Sequence, residues 1–216
     1  MTVQLLDSVG NVLATTTTDA NGAYLFPNLG PGTYKVKFTP SSDYYFSPQN
    51  VASDDTIDSD ADETSGVTGD ITIVSGVAQI QWDAGMIKYG CISGYKLDYC
   101  LKKKGKPAGL SGWIIYIDEP PYNGQRDPNE RYVTSSADPT KLGYYEFCGL
   151  KPGSYRIREE LKPVWETHLP ASIDVDLLCG ADKTNQNFEN LAFHSISGHK
   201  YEFDGITNKK PVPIGT

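Results

Sequence analysis

The chain has 216 residues, room for one large domain or two of about 100 residues each, either with a real core. Its net charge of −8 is spread along the chain, which excludes a nucleic-acid binder built on a basic patch. No apolar run approaches the ~20 residues that cross a bilayer, and no secretory leader is recognisable, so an exported form would be mature or an excerpt.

Alternation dominates and helical stripes are absent. "TYKVKF" and "SYRIRE" trade apolar for charged residues at every step, the signature of half-buried strands. The opening "TVQLLDSVGNVLATTTT" starts directly on a strand, and Thr15–Thr18 reads as a β-edge segment. "GAYLFPNLGPGTYKV" then sets Tyr24 and Phe26 on one strand face. Pro31-Gly32 turns the chain, since Pro fixes φ and Gly accepts positive φ. The block recurs as "GYYEFCGLKPGSYRI", every matched pair being separated by 121 positions without a gap. The repeat predicts two units, each with a hairpin packed on its core.

Between the two blocks lies the acidic run Asp54, Asp55, Asp58, Asp60, Asp62 and Glu63. Carboxylates at alternate positions suit Ca²⁺, which takes about 6–8 oxygen ligands, and Asp83 in "WDAG" is a candidate further ligand. An EF-hand is excluded because Glu63 stands where that loop needs Gly and Gly69 where it needs Glu. The basic run Lys102–Lys106 reads as a solvated turn. The connection Tyr122–Arg131 is the first place to look for a bound peptide or sugar. His168, His194 and His199 show neither ligand nor triad spacing, and no GxSxG elbow occurs. Nothing points to an enzyme.

All four cysteines, Cys91, Cys100, Cys148 and Cys179, lie in the second half and lack zinc or haem spacing. Two disulfides in an oxidising compartment are expected, with the pairing open.

A second self-match has a different offset. "ISGYKLDY" at Ile92–Tyr99 recurs as "ISGHKYEF" at Ile196–Phe203, 104 positions on. The first unit opens on the strand that should follow such a segment, and the tail carries that segment with little after it.

The segments "GNVLATTTTDANGAYLFPNLGPGTYKVKF", "QWDAGM", "GLSGW" and "GYYEF-GLKPGSYRI" resemble the SdrD B-like repeats of microbial surface proteins, relatives of the Cna B-type, prealbumin-like domains. The resemblance covers nearly the whole chain. It implies an all-β chain of two tandem Greek-key-type β-sandwiches, exported and without enzymatic activity. It implies calcium in loops, raising interest in the acidic run. It also implies an intramolecular Lys–Asn isopeptide bond, for which the second unit offers Lys96, Glu159 or Glu160, and Asn187 or Asn190. Strand parity argues against that bond: Tyr95, Leu97 and Tyr99 share one face, taken as the core side, which turns Lys96 outward. The first unit has Phe38 and Thr39 where the second has the two acids.

The expected organisation is a sandwich over 1–88 lacking its first strand, a disulfide-bearing sandwich over 89–193, and a donor strand in 194–216. Ile196, His199, Tyr201 and Phe203 would form the docking face. An unpaired edge is sticky, and strand donation resolves it. The expected function is a filament or stalk subunit whose partner is another copy, joined head to tail. The alternatives are a repeat window of a longer tandem protein and a ligand-binding adhesin module.

Overall fold

The computed structural model describes residues 1–51, 58–168, 171–193, 195–198, 201–203 and 209–211, the last two segments as backbone only. The first unit contains β1 (Thr2–Asp7), β2 (Val12–Thr17), β3 (Gly32–Thr39), β4 (Tyr44–Phe46), β5 (Ile71–Ile73) and β6 (Met86–Lys88). The second contains β7 (Gly90–Asp98), α1 (Tyr99–Lys103), β8 (Ile114–Asp118), β9 (Tyr132–Thr134), β10 (Tyr144–Leu150), β11 (Gly153–Glu159), β12 (Trp165–Thr167), β13 (Ser172–Leu177), β14 (Asp182–Lys183) and β15 (Phe188–Ala192). In the tail, β16 (Tyr201–Phe203) pairs antiparallel with β17 (Lys209–Pro211).

The second unit is a sandwich of two four-stranded layers, β10-β7-β15-β12 over β13-β11-β8-β9, with β14 also against β7. Ile92, Phe147 and Phe188 from one layer meet Ile115, Ile117, Ile157 and Val175 from the other. Period-two alternation produces this core, since each strand sends every second side chain inward. Burying such a side chain contributes roughly 1.5–3 kcal/mol.

The first unit repeats one layer strand for strand, as β2-β1-β3-β5. Among the described residues, its other layer holds β4 and β6. The pairing Tyr45↔Ile87 in β4–β6 matches Glu166↔Leu191 in β12–β15, so β6 is the counterpart of β15. Residues 23–29, the counterpart of β10, form no strand. In the second unit β10 pairs with β7, and among the described residues no strand takes that place in the first.

The Pro-Gly blocks are not hairpins. β10 and β11 lie in opposite layers, so Lys151–Gly153 carries the chain across the sandwich. Tyr155 donates its hydroxyl hydrogen to the Lys151 carbonyl and Tyr34 to the Gly30 carbonyl, pinning both corners. The basic run is partly helical. Asp98 caps α1 by accepting the Leu101 amide hydrogen, a local signal that the alternation elsewhere had masked.

The two units abut closely. Tyr45 and Tyr89 stack at 4.9 Å, Lys151 lies over Tyr45 at 4.7 Å, and the Tyr89 amide donates to the Asp43 carbonyl.

One disulfide forms where two were expected. Cys91 on β7 is bonded to Cys148 on β10, while Cys100 and Cys179 are free and exposed. The geometry explains this: Cys100 follows the end of β7 in α1, whereas Cys179 lies in the turn beside its start, where Gly180 donates to the Lys88 carbonyl. The bond spans 57 residues, and chain entropy for such a loop predicts about 4 kcal/mol of stabilisation. Cys91→Ala with Cys148→Ala should lower denaturant-measured stability by up to that amount, and a loss under about 1 kcal/mol would contradict it.

Candidate functional site

Lys96 points into the core. Ile92, Gly94 and Lys96 share a face of β7, and Ile92 is fully buried, which fixes the parity. The outward reading failed because Tyr95 and Leu97 look like core residues yet are sheltered on the outer face. Tyr95 stacks edge-on against Tyr144 at 5.3 Å. Gly94 marks the true inner face, because a Cβ there would lie 2.0 Å from the Gln186 carbonyl oxygen.

Two further polar side chains converge on Lys96. β15 runs parallel to β7 with Phe188 opposite Lys96 and Asn190 opposite Asp98, so Asn190 is the diagonal neighbour on the same face. Glu159 ends β11 in the facing layer, sharing its inward face with Ile157. The side chains of Lys96 and Glu159 are 0 % and 2 % exposed, with Nζ 3.1 Å from Oε2. That is ion-pair distance without hydrogen-bond alignment. Lys96 Nζ, both Glu159 oxygens and both polar atoms of Asn190 are buried without a hydrogen-bond partner. Trp113 walls the cluster, its ring 4.4 Å from Nζ, and Trp165 packs edge-on against Trp113.

Burial dominates the electrostatics. It pulls the Lys96 ammonium below its ordinary range, against the opposing pull of Glu159. It likewise pushes the Glu159 carboxyl up, against the charge of Lys96. Both shifts favour a neutral amine beside a protonated acid, which is a nucleophile beside a proton donor. Unsatisfied buried polar groups each cost about 1–3 kcal/mol, so a site with several is maintained by something beyond packing.

Glu160 pairs with Arg126 instead of Lys96. Asn187 accepts the Tyr95 amide hydrogen through Oδ1 at 2.8 Å. Tyr122 in the long connection and Tyr132 at the start of β9 stack against Arg156 and Arg126, whose guanidiniums are already paired with Asp174 and Glu160. Residue His168 stacks on Tyr99.

In the acidic run, Asp54 and Asp55 lie outside the described residues. Asp60 accepts the Asp83 amide hydrogen at 2.6 Å, and Asp62 caps a turn by accepting from Thr64 and Ser65. Asp58 Oδ1 is buried without a hydrogen-bond partner. Burial, then the Asp58 charge, pushes the Asp83 carboxyl up. Among the described residues, the tight His/Cys/Asp/Glu cluster is Cys91, Glu146 and Cys148, whose two sulfurs are joined.

In the tail, Ile196 is fully exposed, and His199 lies outside the described residues. Tyr201 and Phe203 belong to β16, which pairs with β17.

The first unit has its own feature, an open apolar groove of about 290 Å³. Tyr24, Phe26, Val36 and Trp82 line it, together with Leu25 and Ile80, which are 73 % and 85 % exposed.

Residues 1–86 match the SdrD B-like domain family. Serine-aspartate repeat-containing protein D of Staphylococcus aureus (strain Newman) is 33 % identical over 168 residues, covering 74 % of this chain and 11 % of that protein. Serine-aspartate repeat-containing protein C of strain MRSA252 is 33 % identical over 160 residues, covering 72 % of this chain and 16 % of its own length. The chain therefore spans roughly a tenth to a sixth of these relatives. Among solved structures, a streptococcal ancillary pilin aligns over 89 % of this chain and 57 % of its own, at 20 % identity and a TM-score of 0.37. The Lactobacillus rhamnosus GG shaft pilin spaA aligns over 91 % and 88 %, at 10 % identity and 0.38. Those scores are too low to carry an argument. The matched first unit, its repeat 121 positions on and the all-β architecture place this chain among the SdrD B-like repeat domains of microbial surface proteins.

Proposed function

We propose that this extracellular, cell-surface chain is a structural module of a stalk or filament, with no substrate of its own, whose second sandwich is locked by an amide bond between Lys96 and Asn190. The observation that carries it is the buried, unsatisfied set Lys96, Glu159 and Asn190. The neutral Lys96 Nζ attacks Asn190 Cγ, and the carbonyl electrons move to Oδ1, which takes a hydrogen bond from the Glu159 carboxyl. Glu159 passes its carboxyl proton to Nδ2 and takes one back from Nζ, and the electron pair on Oδ1 re-forms the carbonyl. The Cγ–Nδ2 bond breaks and ammonia leaves, so an amine and a primary amide become a secondary amide with no redox change. Intact-mass measurement should show the loss of one ammonia, with a cross-linked peptide joining β7 to β15. The full unlinked mass after prolonged folding would overturn the lock.

Assembly belongs to the same reading. Copies join head to tail, the tail strand of one completing the first unit of the next. The open groove and the self-match of Ile196–Phe203 to β7 support this. Size-exclusion with light scattering should show open-ended oligomers.

Calcium binding at the acidic loops is supported by the buried Asp58 Oδ1 and its neighbour Asp83. Added calcium should raise the melting temperature, a chelator should reverse the rise, and Asp83→Asn should remove it. An unchanged melting curve would dismiss the metal.

A further inference from the structure

We propose that β2 is an interaction edge, pairing antiparallel with β2 of a second copy so that two first units join side by side. The contact is lateral, uses neither the groove nor the tail, and goes beyond the head-to-tail reading.

The position is an edge by virtue of the fold. In the second unit the corresponding layer, β13-β11-β8-β9, ends at β9. In the first unit β2 takes that place beside β1, and among the described residues no strand lies beyond it. Which of its backbone groups face outward follows from one contact. The Thr18 amide donates to the Met1 carbonyl. Hydrogen-bonded pairs alternate along an antiparallel ladder, so Thr16 and Ala14 also bond to β1, while Thr15 and Thr17 turn their amides and carbonyls to the open side.

Composition sets this edge apart. Edge strands are kept from pairing when they are short, charged or interrupted by proline. β5, β9 and β12 have three residues each, β10 carries Glu146, and β13 carries Asp174 and Asp176. β2 has six residues, VLATTT, with neither charge nor proline. Its bulge falls at Leu13, which leaves Ala14–Thr18 regular and rich in strand-forming threonine.

The same composition selects the occupant. Each copy carries a net charge of −8, and an edge such as β13 would set acid against acid. Two β2 edges meet without repulsion. A charged strand would find no counter-charge on β2, whereas β2 is its own uncharged complement. The regular stretch is centred on Thr16, and a two-fold axis there keeps both inner faces on one side of the joined sheet. In that register Thr15 opposes Thr17 of the other copy, and Ala14 opposes Thr18. The outward groups of Thr15 and Thr17 then satisfy each other, and their side chains form threonine pairs on the outer face. A single strand pair buries less than the ~1,200 Å² of a stable complex, so the contact is weak alone and adds up where copies lie alongside one another.

Sedimentation velocity on the full chain should show a dimer that grows with concentration. Thr15→Lys with Thr17→Lys sets lysine against lysine twice and should weaken it about tenfold or more. Thr15→Lys with Thr17→Glu sets each lysine against a glutamate and should restore it. Both variants should melt like the parent, because residues 15 and 17 are exposed. A covalent trap separates this edge from head-to-tail contacts. In a chain with Cys100→Ser and Cys179→Ser, Thr16→Cys should give denaturant-resistant dimers on air oxidation, and Ala14→Cys, about 14 Å from its copy, should not. Charge variants that all sediment as the parent would overturn the edge, as would trapping that is absent or equal at the two positions. Larger oligomers without a trapped dimer would leave head-to-tail assembly standing and overturn the lateral contact.

Discussion

A Lys96→Met chain keeps the mass of an unlinked polypeptide and melts well below the parent. The substituted side chain is apolar and of similar reach, so the core keeps its volume and loses a buried amine. What disappears is the cross-link itself, which closes a loop of about 95 residues and is worth about 4–5 kcal/mol by chain entropy. For a domain of this size that corresponds to roughly 20 °C or more in melting temperature. Asn190→Ala blocks the same bond but leaves Lys96 and Glu159 facing each other. Glu159→Ala costs more, because it removes the proton shuttle that the bond needs and also opens a cavity in the core, which Lys96→Met does not. The expected order of melting temperatures is parent, then Lys96→Met, then Glu159→Ala. Equal melting of parent and Lys96→Met would mean that no bond contributes to stability.

Gly94→Ala is the second large effect, and it acts through position rather than chemistry. The new methyl would meet the Gln186 carbonyl oxygen at 2.0 Å and the Gln186 amide nitrogen at 3.0 Å. Both are backbone in the segment that leads into β15, so that segment must move away from β7 and draw the start of β15 with it. Overpacking of this kind costs about 3 kcal/mol. Displacing β15 also carries Asn190 off the diagonal from Lys96. The variant should therefore slow or prevent loss of ammonia while every reacting side chain is intact. Complete cross-linking at the parental rate would show that the strands can shift without consequence.

Much of this architecture was readable from residue order. The 121-residue repeat, the corner residues and the strand alternation sufficed to expect two sandwiches of this family, because period-two patterning and Pro-Gly turns are local signals. The reactive cluster was read from the same letters and then dismissed, on a parity judged by apolarity alone. Tyr95 and Leu97 seemed the stronger core residues, and Gly94 was overlooked. Its need for a bare Cα was the signal that faced inward, but only the neighbouring strand's backbone reveals it. The disulfide pairing depended on which strand lies beside β7, a non-local fact. The corner across the sandwich was misread as a hairpin for the same reason: a turn's residues fix its bend, while strand partners fix its layer.

The parallel pairing of β7 with β15 has a mechanical consequence. Strand β7 enters the second unit at Gly90 and β15 leaves it at Ala192, at opposite poles of the fold. Tension applied between those points shears the two strands past each other. With Lys96 joined to Asn190, the pull runs along Gly90–Lys96, through the new amide, and out by Asn190–Ala192. Residues 97–189 then hang off the taut path as an untensioned loop. Residues 97–147 already lie inside the loop closed by Cys91–Cys148, so the amide withholds the further slack of 149–189, about 3.4 Å per residue, and the locked unit would hold its length under force.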